Sequence, residues 1–226
     1  MSGVTVLEPR AAGGGVGRPA LAVLALTMGG AVFFVMFAAL PYFALLFSDA
    51  PNQFVDEVRF GLYFPRRGWL LPHIVGGMLA VLAGPVQLWL GLRDRRMEVH
   101  RRLGYVYITG MAVGSVGAVG LAVQTPLGMV FGGGLLALAA VWVATTGLAF
   151  ASIRRGLIEQ HKEWMIRSYV TTFAFVTFRI GDLAMTTAGF SDVAQRLGIL
   201  AWACWAVPLV ATEAVLQGRK IFAAAS

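Results

Sequence analysis

Cysteine is nearly absent from this 226-residue sequence. Cys204 is the one thiol, so no intramolecular disulfide can form. It lies between Trp202 and Trp205 in an apolar run, where a small buried hydrophobe is the expected role. Charge is scarce as well: 13% of residues are charged, 18 basic and 11 acidic, against 58% hydrophobic, with a mean hydropathy of +0.75. A soluble domain holds about one quarter charged residues to keep a polar surface, so the composition excludes an ordinary soluble domain. Also missing are a Gly-x-Ser-x-Gly elbow, a P-loop, a His-Glu-x-x-His pair, a Cys pair and an aspartate-rich prenyl-diphosphate motif, which leaves common soluble chemistries and nucleotide hydrolysis without support.

What is present is apolar length. A helix needs about 20 apolar residues to cross a hydrocarbon core of about 30 Å. Six runs qualify: 20–47, with Pro41 as an expected kink, 69–92, 103–123, 128–152, 164–187 and 197–216. The first is too long for a secretory h-region and lacks a small-residue cleavage site, so it is read as a true span. The expected organisation is a disordered cytoplasmic N-terminus (1–19, Gly-rich), a six-span membrane domain (20–218) with its core at 68–187, and a cytoplasmic tail (219–226). The longest interruption, 48–68, reads as a loop. The fold class is an all-α integral membrane protein whose second to fifth runs form a four-helix core.

A net charge of +7 and an isoelectric point near 10.3 would ordinarily suggest a nucleic-acid partner. Here the basic residues sit in short loops between apolar runs. Thirteen lie on one side, four on the other, and Arg179 lies inside the fifth run. Such an asymmetry sets membrane topology, so the expected setting is the inner (plasma) membrane with both termini cytoplasmic and no nucleic-acid partner.

Several residue patterns carry chemistry. In the second run His73, Gly77, Ala80, Gly84 and Gln87 share one helical face, small in the middle and polar at both ends. Close helix packing and a groove for a planar porphyrin or quinone both fit that face. Gly110, Gly114 and Gly117 in the third run form a small-residue stripe. In the fifth run Ser168, Thr172, Phe175, Arg179, Asp182 and Thr186 align, and Arg179 is expected to pair with Asp182 three residues on. Arg179 lies 15 residues beyond Trp164, roughly 22 Å from the cytoplasmic edge, so His73 is within reach of it. His73, Arg179 and Asp182 form a candidate outer-leaflet cluster, either a site or an ion pair locking two helices. Glu213 in the last run is expected at the interface.

His100 and His161 each fall in Glu-x-His-(Arg or Lys), 61 residues apart, just before the third and fifth runs. The repeat suggests two related helical hairpins that place both imidazoles at one depth. Such a pair is open to interfacial contact, to proton handling, or to ligation of a haem or metal, with Glu98, Glu159 and Glu163 available to complete or orient the shell.

The segments His100-Arg101-Arg102-Leu103-Gly104-Tyr105-Val106-Tyr107 and His161-Lys162-Glu163-Trp164-Met165-Ile166-Arg167-Ser168-Tyr169 resemble a family of bacterial multi-span membrane proteins defined as a domain of unknown function. That family pairs HR-x-x-G-x-x-Y with H-x-x-WM-x-RS, a later intramembrane Arg and an upstream His. His73, His100, Gly104, Tyr107, His161, Trp164, Met165, Arg167, Ser168 and Arg179 match, over about 68–182. The resemblance implies a membrane-embedded helical bundle and no established activity. A fainter similarity is to transmembrane b-type cytochromes and ferric reductases, and three histidines limit that analogy to one bis-His haem. The leading expectation is a bundle holding one b-type haem between His100 and His161 and exchanging electrons with a membrane quinone or a protein partner. The alternatives are a small-solute transporter lined by Arg179, Asp182, Gln87 and Thr172, and an accessory protein without a cofactor.

Overall fold

The computed structural model describes residues 18–47, 49–51, 55, 57–92 and 96–224, and every regular element among them is helical. The expected disorder over the first 17 residues lies outside the described residues, as do Arg10, Arg93 and Arg95 of the charge count. By length and composition, five stretches suit a membrane crossing: Ala25–Leu45, Glu57–Gly91, Met97–Val123, Gly128–Arg154 and Val193–Ala223.

The first run begins as α1 (Arg18–Phe34) and changes pitch before its proline. Pro41 has no N–H, and its ring excludes the carbonyl four residues back. The chain widens into a π turn over Val35–Ala39, where the Leu40 N–H donates to the Val35 carbonyl, then tightens into a 3₁₀ helix over Leu40–Leu46.

The expected loop at 48–68 holds a short helix, α2 (Glu57–Tyr63), and a 3₁₀ turn (Phe64–Arg66) that lead directly into α3 (Arg67–Leu92). Pro65 and the flanking charges read as breakers, but Pro65 falls in the first turn, where a missing N–H costs no bond. Phe60 stacks on Phe64 at 4.6 Å, the Arg67 guanidinium covers Phe64 at 3.9 Å, and Tyr63 meets Tyr42 edge-on at 5.2 Å. The segment is thereby packed against the end of the first span, around buried Leu45, Val55 and Leu70.

Helices α3 and α4 (Met97–Val123) form the closest pair. A Cβ on Gly110 would lie 2.7 Å from the Gly76 carbonyl oxygen, and one on Gly117 would lie 2.6 Å from that of Trp69. Backbone touches backbone along this seam, which only glycine permits. Helices α5 (Gly128–Arg154) and α6 (Ile158–Thr172) make the second hairpin, and Gly156, at φ +76°, provides the left-handed residue that ends α5.

The fifth run is broken. Phe173 separates α6 from α7 (Ala174–Thr187), and the Val176 N–H turns to the carbonyl of Phe173, three residues back. The side chains of Thr171 and Thr172 both donate to the Ser168 carbonyl, at 2.7 and 2.9 Å. Such back-bonding competes with the helical ladder and bends it. Together α6 and α7 still run the length of the bundle. At one end Lys220 bonds Glu163 at 2.8 Å, and at the other Arg196 bonds Asp182 at 2.8 Å.

The last helix, α8 (Val193–Ala224), packs on α5 and α7 and buries Leu200 and Cys204, so Cys204 is the buried small residue the sequence suggests. It continues through 219–224, which were expected as a tail.

Candidate functional site

The histidine pair forms where the two hairpins meet. His100 opens α4 and His161 opens α6, with ring centres 6.4 Å apart and ring planes at 84°. The Nδ1 of His161 contacts the Ala149 carbonyl at 2.9 Å, and that of His100 contacts the Gln87 carbonyl at 3.2 Å. A carbonyl only accepts, so each Nδ1 carries a proton, and in the neutral ring the lone pair is on Nε2. Gln87 is doubly engaged, because its side-chain amide also donates to the His100 carbonyl at 2.7 Å. Gly91 lies against the His100 ring, leaving it room.

The carboxylates expected beside the pair are occupied elsewhere. Glu98 bonds Arg102 at 2.5 Å, and Glu159 bonds Lys162 at 2.8 Å. Glu163 is shared between Lys220, at 2.8 Å, and Arg167, at 3.5 Å. Arg167 in turn reaches Glu213 at 2.7 Å and lies over the Trp164 ring, so Glu213 ties α8 to α6. Among the described residues no group of three His, Cys, Asp or Glu is placed to hold a metal ion.

Deeper in the bundle lies a buried hydrogen-bonded network. The Tyr107 hydroxyl contacts Ser168 Oγ and Thr172 Oγ1, each at 2.7 Å. The Trp142 indole N–H donates to Thr172 Oγ1 at 2.8 Å, and Thr146 Oγ1 meets Ser168 Oγ at 2.7 Å. Three helices are joined by polar groups that are all satisfied, as a low-dielectric interior requires. Trp142 and Thr146 escaped the sequence reading. Their signal was a polar patch on one face of the fourth run, Trp142, Thr145 and Thr146.

The face from His73 to Gln87 is not one groove. The Tyr169 ring occupies the space where a Gly84 side chain would stand, which closes the face at its middle. Toward the other end, Gly77 and His73 border a cavity of about 180 Å³ lined from the first span and from α2, α3, α4, α5, α6 and α7. His73 Nδ1 donates to the Gly114 carbonyl at 2.9 Å, and its ring meets Phe175 at 5.4 Å. Arg179 lines the same cavity. Asp182 does not join it. Arg196, from the start of α8, takes the carboxylate that the sequence assigns to Arg179. The structure thus brings His73 and Arg179 to one cavity and leaves Asp182 outside it. Of the four residues expected along a transport path, Thr172 and Arg179 line the cavity, whereas Gln87 and Asp182 are bonded elsewhere.

No curated protein and no solved structure matches the chain, so the likeness to b-type cytochromes finds no support there. Residues 70–216 match one family, whose span takes in the histidine pair, the buried network, His73 and Arg179. The chain therefore belongs to the family described as "Predicted membrane protein (DUF2306)".

Proposed function

We propose that this membrane protein is an electron-transfer component that holds one b-type haem between His100 and His161. The observation that carries the reading is the pair itself: two facing imidazoles, each with Nδ1–H tied to a backbone carbonyl and Nε2 left as the ligating nitrogen. Were the two Nε2 atoms to hold one ion from opposite sides, at about 2 Å each with the ring centre about 1 Å behind, the ring centres would stand about 6 Å apart. The observed 6.4 Å agrees with that separation. The donor set also favours haem over a bare ion. A porphyrin supplies four ligands of its own and asks the protein for two, whereas a bare metal site needs a third or fourth side chain, and Glu98 and Glu163 are held in ion pairs.

When bound, the haem supplies a one-electron couple, with a membrane quinone or a protein as the exchange partner. The chain's own contribution is orientation. The carbonyls of Gln87 and Ala149 fix both tautomers, and the Gln87 amide anchors the first turn of α4.

An absorbance scan of protein purified from cells supplied with haem precursor tests the reading. A Soret band is expected, and it should be lost or strongly shifted in His100→Ala and in His161→Ala. Absence of the band, or its survival in the double variant, removes the assignment.

A further inference from the structure

We infer that the cavity bordered by His73 and Arg179 binds an amphiphile with a single hydrocarbon chain and an anionic head, a carboxylate or a phosphate. The cavity and the histidine pair are separate sites, and either can be present without the other.

The charge of the lining points to an anion. Arg66 and Arg179 both line the cavity, and among the described residues no Asp or Glu does. Arg66 donates to the carbonyls of Gln124 and Leu62, at 2.8 and 2.7 Å, and has no ion pair among the described residues. Among the described residues Arg179 has neither a hydrogen bond nor an ion pair, because Asp182 is held by Arg196. Arg179 is exposed as well as lining the cavity, so its charge stands at the opening, where it attracts an anionic head group.

The depth of the lining points to a chain. Thr172 lies seven residues before Arg179, which puts it roughly 10 Å further in along the bundle. At that inner end Trp142 donates to Thr172, and Thr172 donates to the Ser168 carbonyl, so both polar groups are already used. What they leave is apolar surface, with Phe131, Leu138 and Phe175 along the walls. An apolar cavity of roughly 150 Å³ takes up a hydrocarbon of about benzene's size rather than water, so this one, at about 180 Å³ and roughly 10 Å deep, suits a short chain of about eight carbons. Head toward the bundle end and chain toward its middle is also how an amphiphile lies in a bilayer.

Native mass spectrometry of the detergent-solubilised full chain tests the inference with four probes sized to the cavity: octanoate, octyl phosphate, octanol and a ubiquinone with a single isoprene unit. One saturable adduct is expected with the two anions, at concentrations about tenfold or more below those needed for the alcohol. The tighter of the two anions identifies the head group. Arg179→Gln should raise the half-saturating concentration by about tenfold. Gly77→Leu should abolish the adduct, because a Cβ at Gly77 meets nothing within 4 Å and the added side chain enters the cavity without displacing a helix. Equal uptake of the alcohol, tighter uptake of the quinone, adducts unaffected by Gly77→Leu, or competition by inorganic phosphate as strong as by octyl phosphate would each overturn it.

Discussion

Tyr107 is 1% exposed, and its hydroxyl is the knot between α4 and α6. Tyr107→Phe keeps the ring and removes two hydrogen bonds, while Ser168 retains Thr146 and Thr172 retains Trp142. Hydrogen bonds between membrane helices average well under 2 kcal/mol, so a loss of about 1 kcal/mol is expected. A titration of purified protein with sodium dodecyl sulfate should show the unfolding midpoint move down, and an unmoved midpoint would deny the network a role in stability. At this scale the sequence is legible where partners are near in the chain or repeat in it. His100 and His161 stand out because their flanking residues recur. The partners of Tyr107 do not stand out, since a hydroxyl bond across 61 or 65 residues leaves no local pattern. The expected pairing of Arg179 with Asp182 fails for a related reason. Spacing of three residues permits a pair, but the choice belongs to whichever cation tertiary packing brings nearest, and that is Arg196.

The glycines of the α3–α4 seam show what an element can reveal before folding. A small-residue stripe at Gly110, Gly114 and Gly117 signals close approach, and the crossing is found there, against Gly76 and Trp69. Gly110→Ala should cost about 1–3 kcal/mol by overpacking, because its new methyl group would press on the backbone of α3. Gly77→Ala, whose methyl group meets nothing within 4 Å, should stay within about 0.5 kcal/mol of the parent. Thermal melts of the two variants in one detergent separate the cases, and equal losses would mean that the seam is not the constraint. The break at Phe173 was hidden, since the run from 164 to 187 has neither proline nor an interrupting charge cluster. Its cause lies in the side chains of Thr171 and Thr172, whose bonds to the Ser168 carbonyl matter only once a helix exists to compete with. The short helix α2 was missed for the opposite reason: Pro65 and its charged neighbours look like breakers until their position in a first turn is known.

For the whole molecule, the contrast between thirteen basic residues on one side and four on the other converts composition into orientation. The structure supplies a matching division of ends. His100, His161, Glu163 and Lys220 gather at one, while Arg66, Gln124, Asp182 and Arg196 gather at the other. The positive-inside rule then predicts the histidine end on the cytoplasmic side. A C-terminal green fluorescent protein fusion should fluoresce in a bacterial host and the matching alkaline phosphatase fusion should be inactive, whereas the reverse pattern would invert the bundle. All-helical membrane class was legible from apolar run length alone. Which polar groups share a cavity was not, because the cavity draws residues from helical segments far apart in the chain.

The 61-residue offset has a consequence for how a two-ligand site arises. His100 faces His161, and Tyr107 bonds Ser168, so two positions in the first hairpin each touch their own counterpart in the second. Contact between counterparts is what a local two-fold axis relating two such hairpins would produce. A duplicated hairpin with one imidazole near that axis presents two imidazoles facing each other without any further substitution. The supports behind the rings do not keep that offset: Gln87 and Ala149 are 62 residues apart, and each offers its backbone carbonyl to the Nδ1 of one histidine.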